Sequence, residues 1–113
     1  MAESEMFDSA ARSAGDLAGV FEYEDESGYF YLYETGGSEG QKVAGAIRIV
    51  TGQPDFESED IEISWDVSEG KVALLIRGQI WAVFDAETGA KYGGDYRANA
   101  QADIPEEITS KFK

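Results

Sequence analysis

The sequence predicts an α+β domain that is mainly β: one antiparallel meander of five to six strands, with a C-terminal helix packed on one face. Three observations lead there. From Gly19 onward, apolar and polar residues alternate with the period of two that a half-buried strand requires. Turn-forming clusters ("DESG", "VSEG", Arg77–Gly78) break these runs at short intervals. Near the end, "DIPEEITSKF" changes to a helical period behind a helix-start signature. A chain of 113 residues, 42% of them hydrophobic, suits a single domain with one core.

Taken in order, residues 1–17 stand apart from the domain over 18–113. Met6, Phe7, Ala10, Ala11, Ala14 and Leu17 recur at spacings of three and four, which predicts a short amphipathic helix capped by Ser4 or Asp8; the alternative is a frayed terminal segment. "GVFEYE" and "GYFYLYE", on either side of "DESG", read as a hairpin. "VAGAIRIVT" (43–51) follows the flexible stretch "TGGSEGQ", and "GQPDFESE" (52–59) is a polar connection. "DIEISWD", "KVALLIR" and "QIWAVFD" then form a strand–turn–strand–turn–strand unit. "VALLI" is apolar on both faces and is expected at the centre. "AETGAKYGGDY" holds turns and at most a short strand. The closing helix, 104–112, is expected to start at Asp103 with Glu106 completing a capping box and Pro105 in the first turn. Ile104, Ile108 and Phe112 share its buried face, and Lys111 and Lys113 complement its negative end.

Composition removes several chemistries. Without cysteine or histidine, thiolate and imidazole catalysis, disulfides and zinc–cysteine sites are impossible. A net charge of −14 repels nucleic acid and anionic membranes and suits a soluble protein or one that meets a basic protein partner. No apolar run reaches the roughly 18 residues of a membrane span, and "MAESEMFDSA" lacks the basic and apolar regions of a signal peptide. A cytoplasmic location is therefore expected.

The blocks "VFEYEDESGYFYLYE" and "IEISWDVSEGKVALLIRGQIWAVFD" resemble those of a small bacterial family catalogued as a domain of unknown function. Its members carry a similar acidic GYFY segment and a meander with Trp65, Leu74, Ile76, Phe84 and Asp85 in order. The similarity covers roughly residues 19–97. Members favour Asn-Gly at the last hairpin turn, where this chain has Arg77–Gly78. The resemblance implies a bacterial cytoplasmic protein and no particular reaction.

Tyr29, Tyr31 and Tyr33 share one strand face, and Phe30 and Leu32 the other. The tyrosines either pack across strands against Phe21 and Tyr23 or form a surface for a partner or small ligand. Base stacking is excluded, because no basic residue lies between Arg12 and Lys42 to track a phosphate backbone. Asp55, Glu57 and Glu59 imitate calcium-loop spacing, but the loop's glycine and terminal glutamate are missing, so a solvated acidic loop is expected and no metal or other cofactor. Asp66 and Asp85 end strands of one meander, yet in a chain with 23 acids some pair will always fit a carboxylate mechanism. Arg48 and Arg77, within apolar strand segments, are either salt-bridged or candidate anion contacts. Trp65 and Trp81 read as core or as ligand-stacking groups. The function expected is a non-catalytic interaction module using the 28–34 face and the 55–62 loop. The alternatives are an acidic inhibitor of a basic enzyme and a small-ligand-binding domain.

Overall fold

The computed structural model describes residues 5–34, 42–97 and 102–112, with the Lys42 side chain excluded. The "TGGSEGQ" stretch, the proposed cap Ser4 and Lys113 lie outside the described residues.

The chain builds two four-stranded antiparallel sheets in place of a single meander. Sheet A contains β1 (Met6–Ala11), β2 (Leu17–Glu24), β3 (Ser27–Glu34) and β4 (Lys42–Thr51) in that order. Sheet B contains β5 (Ile61–Trp65), β6 (Lys71–Ile76), β7 (Gln79–Asp85) and β8 (Lys91–Gly93). Each strand pairs with its sequence neighbour, as a meander demands, but the polar 52–60 connection breaks the ladder and starts a second sheet. The sheets face each other because both have a continuous apolar side. Phe21, Phe30, Leu32 and Ile47 from sheet A meet Val72, Leu74, Ile76 and Phe84 from sheet B in one buried cluster. The rings of Phe30 and Phe84 lie 5.2 Å apart. A glycine at position 45 allows this close approach, since a β-carbon there would stand 2.8 Å from the Phe84 ring.

Residues 6–11 form strand β1, against the expected helix or frayed end. Met6 pairs with Tyr23 and Ala11 with Ala18. The apolar spacings of three and four are coincidental: Met6 points into the sandwich while Phe7 is exposed, which is strand alternation.

Two hairpin turns hold adjacent residues at positive φ, Asp25–Glu26 (54° and 65°) and Arg77–Gly78 (54° and 79°). Strand registers place both as two-residue loops. Positive φ at both positions marks the type I′ turn, whose twist matches the strands. Arg77–Gly78 thus adopts the geometry that an Asn-Gly pair favours.

The C-terminal helix is shorter than 104–112. It comprises α1 (Glu106–Thr109) followed by a 3-10 turn over Ser110–Phe112. Pro105 occupies the N-cap position and no side chain caps the end, so Asp103 does not form the expected box. The predicted apolar face survives. Ile108, with Ile104 and Phe112, packs on Ala73, Val83 and Leu75 on the outer side of sheet B. Among the described residues no helix is long and apolar enough to cross a membrane.

Between β8 and the tail, residues 94–96 tie the two layers together. The Gly94 N–H donates to the Trp81 carbonyl of β7 at 2.8 Å, while the Asp95 and Tyr96 N–H groups donate to Arg48 and Ile49 of β4 at 2.9 and 2.6 Å. On the opposite side, the Trp65 indole N–H donates to the Ala10 carbonyl at 2.9 Å, and Arg12 lies over the Trp65 ring.

Candidate functional site

Among the described residues, no helix packs on the outer face of sheet A. Its registers place three rows across it: Phe7–Glu22–Tyr29–Arg48, Ser9–Val20–Tyr31–Ala46 and Ala11–Ala18–Tyr33–Val43. Tyr29, Tyr31 and Tyr33 are half-buried and form a ladder, with ring centroids 5.9 Å apart for the first pair and 5.7 Å for the second. Val20, on the strand beside them, is buried, so the half-buried rings shield an aliphatic floor. Burial, with Glu22 and the flanking tyrosines adding to it, raises the Tyr31 hydroxyl above its ordinary range. Phe21 and Tyr23 do not back this ladder. They point inward, and the Tyr23 hydroxyl donates to the Gly52 carbonyl at 2.8 Å.

Acidic groups crowd the strand end of this face. Glu24 is raised from its usual range, first by Asp25 and then by Glu5 and Glu22. Asp25 and Glu26 occupy the left-handed turn positions, where asparagine and glycine are the unstrained choices.

Beside the face runs an open groove of about 920 Å³ between β1 and the 53–59 connection. Met6, Phe56 and Ile61 are buried beneath it. Among the described residues, its lining includes the carboxylates Glu5, Asp8, Asp55, Glu57 and Glu59 and no basic residue. Phe7, 66% exposed, lines the groove and also heads the first row of the tyrosine face, so the two surfaces are continuous.

The predicted acidic loop divides by role. Asp55 accepts a hydrogen bond of 2.7 Å from the Tyr96 hydroxyl and lies 3.6 Å from Arg77. Glu57 and Asp60 close a capping box around the 3-10 turn Ser58–Asp60, and Glu59 is exposed in the groove. Among the described residues no three carboxylates converge to hold a metal ion.

Arg77 is committed to this loop: its guanidinium donates to the Asp55 carbonyl and faces Asp60 as well. Arg48 pairs with Asp95 at 3.3 Å, exposed at the end of the row that contains Tyr29. Asp66 and Asp85 both serve their own turns. Asp66 accepts from the Gly70 and Lys71 N–H groups at 2.9 and 3.1 Å. Asp85 accepts from those of Glu87 and Thr88 at 2.9 and 3.2 Å, and these bonds hold it below the usual range although burial pushes the other way. Trp81 is buried edge-on to Tyr96, with centroids 4.8 Å apart.

The contribution of β1 to the groove is absent from the sequence reading. So is the cluster at the far hairpin, where Arg12 grips Asp16 through two hydrogen bonds of 2.8 and 2.9 Å and donates to the Glu69 carbonyl. The four-residue separation of Arg12 and Asp16 was a local signal; Glu69 had none.

A family model described as "Uncharacterized protein conserved in bacteria (DUF2251)" matches residues 1–108. No match arises among curated proteins or among solved structures.

Proposed function

The chain belongs to this uncharacterised family conserved in bacteria, and from that premise we propose that it is a non-catalytic binding module of the cytoplasm, with the outer face of sheet A as its protein-contacting surface. The asymmetry of the sandwich supports the reading. The outer side of sheet B is covered by Ile104, Ile108 and Phe112, whereas the outer side of sheet A offers a tyrosine ladder flanked by the exposed Phe7. Tyrosine at such a position gives large contact area at small entropic cost, and aromatic residues are enriched at interfaces. The turn-bound carboxylates of Asp66 and Asp85 have a complete structural account that asks for no reaction.

The test is affinity capture from a bacterial lysate with the wild-type chain, the variant Tyr29→Ala/Tyr31→Ala/Tyr33→Ala, and Phe112→Ala on the covered side. Unfolding curves check that each variant is folded. A partner retained by wild type and by Phe112→Ala but lost from the triple variant is the expected result. An identical set of captured proteins for all three removes the tyrosine face from the function.

A further inference from the structure

We propose that the groove between β1 and the 53–59 connection takes an extended basic segment of a partner polypeptide, which lays apolar side chains along the exposed Phe7 and sets lysine or arginine against Asp8, Glu57 and Glu59. The inference rests on the reading of the adjoining tyrosine face as a protein-binding surface, and it specifies what that protein presents.

Charge decides the occupant. Among the described residues, no lysine or arginine forms an ion pair with Glu5, Asp8, Glu57 or Glu59, whereas Asp55 is offset by Arg77. Nor does a basic residue among those described line the groove. Like-charge crowding has already raised Glu24 at the neighbouring hairpin end, with Glu5 among its causes, so the potential here is relieved by an incoming cation. A second copy of the chain is disfavoured, because it carries the same net −14 and would bring carboxylates to carboxylates.

Shape points to a polypeptide over a simple cation. The groove has an apolar base of Met6, Phe56 and Ile61, and it continues over Phe7 toward Glu22 and Tyr29. Alternating apolar and cationic side chains match that arrangement, with the aliphatic stems of lysine or arginine lying on the aromatic rings.

The experiment is fluorescence anisotropy with a short labelled peptide of alternating lysine and phenylalanine, against the full chain at low and high ionic strength. Saturable binding is expected, weakened about tenfold or more in Asp8→Asn/Glu57→Gln/Glu59→Gln. It should stay unchanged in Asp103→Asn/Glu106→Gln/Glu107→Gln, which removes equal charge on the helix side. Equal weakening by both triple variants would reduce the effect to bulk charge and overturn the proposal. So would equal affinity for a lysine–glycine peptide or for spermine, or the absence of saturation. The two readings fail separately. Loss in the groove variant with full retention in Tyr31→Ala leaves this inference standing and counts against the tyrosine face, while the reverse pattern counts against the groove.

Discussion

Asp66 shows what a single residue contributes to this fold. It is the one buried charged side chain among the described residues, and its oxygens satisfy the Gly70 and Lys71 N–H groups and the Ser68 hydroxyl. Replacing it with alanine leaves a buried donor at Gly70 without a partner. Asp66→Ala is therefore expected to cost about 2–3 kcal/mol, read from urea unfolding, with Asp66→Asn milder because one oxygen remains. Asp16 makes a different prediction. The Arg12 hydrogen bonds hold its carboxyl down to about 2. A carboxyl with a depressed folded-state pKa contributes stability above its unfolded pKa and loses it as pH falls. The Asp16 contribution is thus complete above about pH 4 and disappears toward pH 2,. Unfolding midpoints measured across that window should slope less in Asp16→Asn than in wild type. An identical slope would show that the Arg12 pair does not persist in solution.

At the level of elements, residues 94–96 matter because they hydrogen-bond to both sheets. Gly93 opens this crossing with φ of 85°, and a β-carbon there would lie 2.2 Å from the Trp81 carbonyl oxygen. Gly93→Ala is expected to destabilise by about 3 kcal/mol, combining a left-handed backbone with a clash against main chain. Gly15→Ala has a similar φ of 76° but open space around its β-carbon, and it should cost only about 1 kcal/mol. Thermal unfolding of the pair separates the steric part from the conformational part. The sequence made the strands from Ile61 to Asp85 legible, because Ile61, Ile63 and Trp65 alternate cleanly with polar neighbours. It did not show that those strands leave the first ladder, since alternation assigns each strand two faces without saying what lies opposite. β1 was hidden for another reason: Met6, Ala10 and Ala11 fit a helical period, and only pairing with β2 selects the extended form. The tyrosine face was therefore legible by its period of two. The groove was not, as half of its wall belongs to the misread strand.

For the whole molecule, the excess of negative charge is the dominant long-range term. With a net −14, self-repulsion weakens the compact state and salt screens it. Raising ionic strength is expected to raise the Tm of the free chain while loosening the complex with a basic peptide. Those opposite trends, measured by scanning fluorimetry and by anisotropy in the same buffers, separate the charge that opposes folding from the charge that recruits a partner. A Tm that stays flat with salt would show that the carboxylates are spaced widely enough not to oppose folding.

The order of strands carries one last consequence. Among the described residues, 6–51 supply all of sheet A and 61–93 all of sheet B, with no strand exchanged between them. Severing the chain within 52–54 would give two fragments, each a ribbon with an oily side and no lid. Expressed separately they should precipitate; expressed together they should find one another and restore the native assembly. The protein would then serve as a two-piece reporter that reads out proximity between whatever is fused to its halves.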